Sequence, residues 1–190
     1  MQQDFLKELA NIGIGHAAMG LSKMINMNVE ISLPKLTLVP IENLVAVKVS
    51  RICAITTGLE GDLKGLLALV FDDKTSFWII DRISGHIDGT TKEFNEMGQE
   101  AMKEFCNIIG GAYLSALADF LQFSLMPKIP NILIGNGSEI KQQFLKIVTD
   151  ESTQILSVKT ELTIGDAKID GDMHLILDKE SFQRLFKQMN

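Results

Sequence analysis

The chain has 190 residues, of which 46% are apolar and 22% are charged, and its formal net charge is −6. This composition is typical of a globular protein and excludes a disordered or fibrous chain. The sequence contains no long cluster of Lys and Arg, and binding to a phosphate backbone requires concentrated positive charge, so we expect no nucleic-acid partner.

The sequence predicts no membrane span, because it lacks a run of about 18 uncharged apolar residues. Residues 1–4 also lack the basic and apolar segments of a signal peptide. Cys53 and Cys106 stand alone in apolar stretches, which favours buried, reduced thiols. We therefore expect a cytoplasmic protein with no membrane partner.

In chain order, the sequence predicts two similar series of elements. Each series begins with a long helix, at 3–26 and 92–122, where apolar residues recur at helical spacing. Shorter helices at 73–84 and 178–189 each open on an Asp near the N-cap position, and 85–91 is interpreted as a linker. The β-prone runs between the helices are 29–33, 44–56, 63–71, 132–134, 144–149, 154–164 and 169–177, with turn signals at 60–62, 135–138 and 170–172.

The two series are related by an internal repeat. A shift of 96 residues gives six identities within one 27-residue window, without a gap. The matched pairs are Glu8 and Glu104, Asn11 and Asn107, Ile12 and Ile108, Gly15 and Gly111, Leu21 and Leu117, and Pro34 and Pro130. Coincidence is a weak explanation for this agreement.

The repeat predicts an α+β fold built from a pseudo-twofold duplicated α-β-β-β-α unit. Two long helices are expected to pack on a largely antiparallel sheet, with the shorter helices flanking it. We interpret 1–190 as a single pseudo-symmetric domain with repeat halves 1–88 and 92–190. Because such a chain already contains a pseudo-dimer, we expect a monomer.

Each long helix carries a polar ridge. Asp4, Glu8 and Asn11, with Gly15 one turn further on, form the first ridge, because residues at i, i+4 and i+7 fall within about 60° of one another. The second ridge consists of Glu100, Glu104, Asn107 and Gly111. A mid-helix glycine costs about 1 kcal/mol relative to alanine. On an exposed ridge it admits a partner's backbone, whereas on a buried face it would indicate tight internal packing.

A Glu and an Asn one turn apart make an incomplete catalytic site. No Ser–His pair accompanies them, and His16, His86 and His174 are too dispersed in the sequence to suggest a metal site. A carboxamide can orient a water for in-line attack on phosphorus, and a carboxylate can pair with a partner's lysine. The sequence therefore predicts chemistry completed in trans. The partner supplies the phosphoryl group and its Mg²⁺, and this chain needs no cofactor of its own.

The spacing Asp/Ser-x3-Glu-x2-Asn-x22-Pro resembles the signature of the CheC/CheX/FliY family of chemotaxis phosphatases. The first copy matches it fully, ending at Pro34. The second copy ends at Pro130 and departs from it at Glu100, where the family has Asp or Ser. Both prolines are interpreted as structural, at strand edges. Two copies of the motif, with neither the switch-binding tail nor the further domain of FliY-like members, resemble the CheC type.

The resemblance implies a phosphatase that hydrolyses the aspartyl phosphate of the response regulator CheY. Asn11 and Asn107 would orient the water, and Glu8 and Glu104 would pair with the regulator's lysine. Asp4 would assist at the helix edge, and Glu100 would alter docking at the second ridge, so that the two sites need not be equally active.

The alternative is a non-catalytic binding module of the chemotaxis or flagellar switch system. The same pseudo-symmetric fold resembles the middle region of flagellar switch proteins, which are scaffolds, and family members often bind the receptor deamidase CheD. The intact pair Asn11 and Asn107 favours the enzyme, because a scaffold need not keep it.

Overall fold

The computed structural model describes residues 15, 18–31, 35–39, 51–147 and 154–188. Within these ranges the chain forms five helices and eight strands. The helices are α1 (18–25), α2 (Asp73–Ile83), α3 (Glu96–Leu121), α4 (Gly137–Ile147) and α5 (Lys179–Gln188). The strands are β1 (Val29–Ile31), β2 (Lys35–Val39), β3 (Ile52–Gly61), β4 (Gly65–Asp72), β5 (Leu125–Pro127), β6 (Asn131–Gly135), β7 (Gln154–Ile164) and β8 (Ala167–Leu177).

The eight strands form one sheet in the order β1-β7-β8-β4-β3-β5, with β2 also paired to β7 and β6 also paired to β3. Every pair is antiparallel. The predicted α+β class and antiparallel sheet are therefore confirmed. No described helix is both long and apolar enough to span a bilayer.

The offset of 96 residues found in the sequence recurs in the structure. Strands β1 and β5 begin at residues 29 and 125, and β2 and β6 begin at residues 35 and 131. Two non-glycine residues with positive φ, Asn26 at 51° and Gln122 at 53°, are also 96 residues apart. Each short pair of strands joins a long strand of the other half, since β1 and β2 pair with β7 whereas β5 and β6 pair with β3.

Helices cover both faces of the sheet. Successive side chains of a strand point to opposite faces, so one strand can contribute to the core on each side. On one face, Cys53 and Ile55 of β3 belong to the same core cluster as Phe105 and Leu114 of α3. On the other face, Ile52 of β3 belongs to a second cluster that includes α4. The residues of α4 in that cluster are Ile140 and Phe144, both fully buried.

The end of α2 fixes the segment between the two halves. The buried carboxylate of Asp81 accepts hydrogen bonds from the backbone N–H groups of Gly89, Thr90 and Thr91, at 2.8, 3.0 and 2.9 Å, and from the Thr91 hydroxyl. Burial opposes ionisation of this group, but these hydrogen bonds outweigh it and lower the pKa of Asp81. The predicted linker is therefore anchored to α2.

Two local predictions were wrong. Residues 144–147, predicted as the start of a strand, belong to α4. The predicted runs also omit β2 and β5, so each half has four described strands where the predicted unit has three. A reciprocal cap at Asn136 starts helix α4. Its side-chain oxygen accepts from the Glu139 N–H and its own N–H donates to the Glu139 carboxylate, both at 3.0 Å.

The predicted turn at 170–172 lies inside β8, and the chain instead turns at Gly165, where φ is 58°. Gly171 has a packing role, since a Cβ there would lie 2.5 Å from Cε1 of Phe71. An Asp-Gly-Asp sequence does not distinguish a turn from such a close contact.

Candidate functional site

The second ridge lies on the outer face of α3. Glu104 and Asn107 are both exposed, and the Asn107 amide nitrogen donates a long hydrogen bond of 3.5 Å to the Glu104 carboxylate. The two polar groups therefore point to solvent and lie close enough to act on one bound group. The structure brings them together as the sequence predicted.

The opposite face of α3 explains this orientation. Phe105, Cys106, Ile109 and Leu114 are buried in the core cluster that packs on the sheet. Because an amphipathic helix must bury its apolar stripe, the polar ridge is left outside. At the start of the helix, the side chain of the N-cap residue Asn95 accepts from the Gly98 N–H at 2.8 Å.

The first acid of the second ridge already has a partner. The Lys103 ammonium lies 2.7 Å from the Glu100 carboxylate, whose side chain is 69% exposed. Lys103 was not predicted from the sequence as a site residue, although an acid and a base three residues apart on a helix are a recognisable pair. This contact partly neutralises the acid that departs from the family motif.

Gly111 continues the second ridge without a side chain. A Cβ built at Gly111 would meet nothing within 4 Å in the described part of the chain, and the same is true of Gly15 on the first ridge. Gly20 differs, because a Cβ there would lie 2.8 Å from Cγ2 of Ile108. Of the two alternatives, Gly15 and Gly111 therefore fit the exposed ridge, and tight helix packing is found at Gly20.

Asp4, Glu8, Asn11 and Pro34 lie outside the described residues, so the structure describes only Gly15 of the first ridge. Pro130 of the second copy directly precedes β6. Lys128, two residues before Pro130, donates its N–H to the Gly58 carbonyl at 2.9 Å, and its carbonyl accepts from the Thr57 hydroxyl. These bonds fix the backbone that leads into Pro130.

Neither cysteine is equipped to act as a nucleophile. Burial raises the pKa of both Cys53 and Cys106 to about 12, and their exposures are 0% and 1%. Both thiols are therefore neutral near pH 7, whereas nucleophilic attack requires the thiolate. Among the described residues, no three His, Cys, Asp or Glu side chains are placed to hold a metal ion.

The fold and the exposed acid–amide pair define a class of protein, and the comparisons with known proteins agree. The chain belongs to the chemotaxis phosphatase family: the model described as "Chemotaxis phosphatase CheX" matches residues 53–158, and the CheC-like family model matches residues 1–38. A curated relative is the CheY-P phosphatase CheC of Bacillus subtilis (strain 168). It is 26% identical over 192 residues, which cover 97% of this chain and 92% of the relative. The resemblance to the CheC/CheX/FliY family is thus confirmed.

Solved structures agree with the fold. The solved chain of FliY from Thermotoga maritima superimposes with a TM-score of 0.83 at 22% identity, covering 99% of this chain and 95% of that solved chain. A chain of the CheX–CheY–BeF3–Mg²⁺ complex from Borrelia burgdorferi has a TM-score of 0.55 at 19% identity, covering 86% of this chain and 95% of its own length. At these identities, both likenesses establish the fold alone.

Proposed function

We propose that this chain hydrolyses the aspartyl phosphate of a CheY-like response regulator. The observation that carries the proposal is the pair formed by Glu104 and Asn107, both exposed and joined by a 3.5 Å hydrogen bond on the outer face of α3. The relative from B. subtilis supports it, because that protein is named a CheY-P phosphatase.

The Asn107 carboxamide acts on water. Its oxygen accepts a hydrogen bond from the attacking water, and its nitrogen donates to a neighbouring oxygen. The water oxygen forms a bond to phosphorus as the bond from phosphorus to the aspartyl oxygen breaks. The products are the free carboxylate of the regulator and inorganic phosphate, which retains the protons of the water. Positioning of this kind is the main source of catalysis in phosphoryl transfer.

Glu104 acts on the partner. Its carboxylate pairs with a lysine of the regulator's active site and so holds the regulator with its phosphoryl group beside Asn107. Mg²⁺ is bound by the regulator, and this chain contributes no cofactor. Glu8 and Asn11 perform the same tasks on the first ridge.

The test is the rate of phosphate release from a phosphorylated regulator, measured with the wild type, Asn11→Ala, Asn107→Ala and the double variant. Loss of one aimed polar group costs about 2–4 kcal/mol of barrier, so each single change should remove most of the activity of its own site. The double variant should be close to the spontaneous rate. Asn131→Ala, which truncates an exposed amide on β6, is the matched control and should act like the wild type.

Binding measurements with the regulator and with CheD, made beside this rate assay, distinguish the binding-module alternative. If the regulator binds but its phosphate has an unchanged lifetime, or if CheD binds and the regulator does not, the chain is a scaffold. Equal rates for the wild type and the double variant would also contradict the assigned roles of the two Asn residues.

A further inference from the structure

An exposed methionine lies on the helix that carries the second ridge. Met97 on α3 is 69% exposed. Met97 precedes Glu104 by seven residues, which places it within about 20° of Glu104 around the helix and about 10 Å along its axis. Met97 therefore extends the second ridge beyond Glu100.

The surroundings of Met97 are acidic. Glu93, Glu96, Glu100 and Glu104 are all exposed within the segment 92–104. That segment contains two lysines, Lys92 and Lys103, and Lys103 is paired with Glu100. The second ridge thus presents an apolar side chain within a field of net negative charge.

We infer that Met97 is an apolar docking contact of the second ridge for the regulator. This inference rests on the proposed function. The matching surface on the regulator is an apolar side chain flanked by Lys or Arg, because the acids around Met97 favour a basic partner. Methionine suits this role, since its flexible, polarisable side chain adapts to a partner surface.

The test uses variants in which a single site is active. In the Asn11→Ala background, hydrolysis reports the second ridge, and in the Asn107→Ala background it reports the first. In the Asn11→Ala background, Met97→Ala should raise KM about five- to tenfold with kcat unchanged, because it removes a contact made equally in the ground and transition states. In the Asn107→Ala background, Met97→Ala should have no effect.

Met126→Ala is the matched control, because this methionine is 64% exposed but lies on the short strand β5. It should leave KM unchanged in both backgrounds. A KM that is insensitive to Met97→Ala, or that responds equally to Met97→Ala and Met126→Ala, overturns the inference while leaving the Asn roles intact. Equal effects of Met97→Ala in the two backgrounds also overturn it.

Binding separates this inference from the proposed function. The Kd is measured with a regulator activated by beryllofluoride and Mg²⁺, so no hydrolysis is needed, and Glu8→Arg blocks the first ridge. A weaker Kd for Met97→Ala in a chain that does not hydrolyse the phosphate would support the docking contact and reject the proposed function. An unchanged Kd, together with Asn-dependent hydrolysis, would reject the docking contact alone.

Discussion

Gly110 and Gly111 are adjacent on α3 but meet opposite environments. A Cβ on Gly110 would lie 2.8 Å from Cδ2 of the fully buried Leu67, whereas a Cβ on Gly111 would meet no described atom within 4 Å. Gly110 therefore allows α3 to pack closely on the sheet, and Gly111 leaves the second ridge without a side chain at that position.

This contrast predicts opposite effects of one added methyl group. Gly111→Ala should stabilise the fold by up to about 1 kcal/mol, because alanine favours a helix, and should lower kcat/KM of the second site by obstructing the regulator. Gly110→Ala should destabilise the fold by about 1 kcal/mol through overpacking against Leu67. Thermal unfolding and phosphate release in the Asn11→Ala background measure both effects. If Gly111→Ala leaves kcat/KM unchanged, the partner does not approach at Gly111.

Removal of the charge of Glu104 should weaken docking rather than folding. Glu104→Gln in the Asn11→Ala background should raise KM and reduce its dependence on ionic strength, because the carboxylate attracts the regulator's lysine. Glu180→Gln removes one equal charge from the exposed start of α5 and serves as the control. Equal shifts in both variants would indicate a general effect of net charge.

The ion pair between Lys103 and Glu100 should matter more for binding than for stability. A pair near the surface contributes less than about 1 kcal/mol, so Lys103→Met should barely change the melting temperature. The freed Glu100 carboxylate should lower KM of the second site at low salt, and added salt should remove the difference. A large loss of stability would show that Lys103 has a structural role.

Asp81 should control the acid stability of the segment between the halves. Its pKa is lowered in the folded state, so its contribution is complete above the ordinary value of 3.8 and is lost as pH falls through the lowered value. Asp81→Asn should cost about 3 kcal/mol near pH 7, because the amide cannot accept all the N–H groups that face it. Urea unfolding from pH 7 to pH 2 should show this cost diminishing in acid. Asp119→Asn, on the exposed end of α3, should have little effect.

The thiols should react only when the protein unfolds. With the pKa of both cysteines raised to about 12 by burial, a disulfide reagent at pH 8 should modify neither Cys53 nor Cys106 in the native protein. Both should react in denaturant. Cys106→Ala should keep phosphatase activity although it adjoins Asn107, and loss of activity without loss of folded protein would assign this thiol a direct role.

Local sequence patterns were sufficient to predict the second ridge and insufficient to predict helix α4. The spacing of Glu104 and Asn107 predicts a shared helix face because a helix has a fixed period, and burial of Phe105 and Ile109 selects which face is outside. Helix α4 was missed because residues 144–149 have high β-propensity, which the cap at Asn136 and burial of Phe144 override. The Asn-x-x-Glu pattern at 136–139 resembles a capping box and could have predicted the start of this helix.

The duplication, with its offset of 96 residues, and the acid–amide motif on the second ridge could be predicted from local sequence patterns. The exchange of short strands between the halves could not, and it is seen in the folded chain, where Val29 lies opposite Ile164 and Leu125 opposite Gly61. The packed glycines, Gly20 and Gly110, could likewise be distinguished from the open Gly111 only by their neighbours in the fold. The reason is physical: helical phase depends on neighbours a few residues apart, whereas strand exchange and helix contacts join residues far apart in the chain.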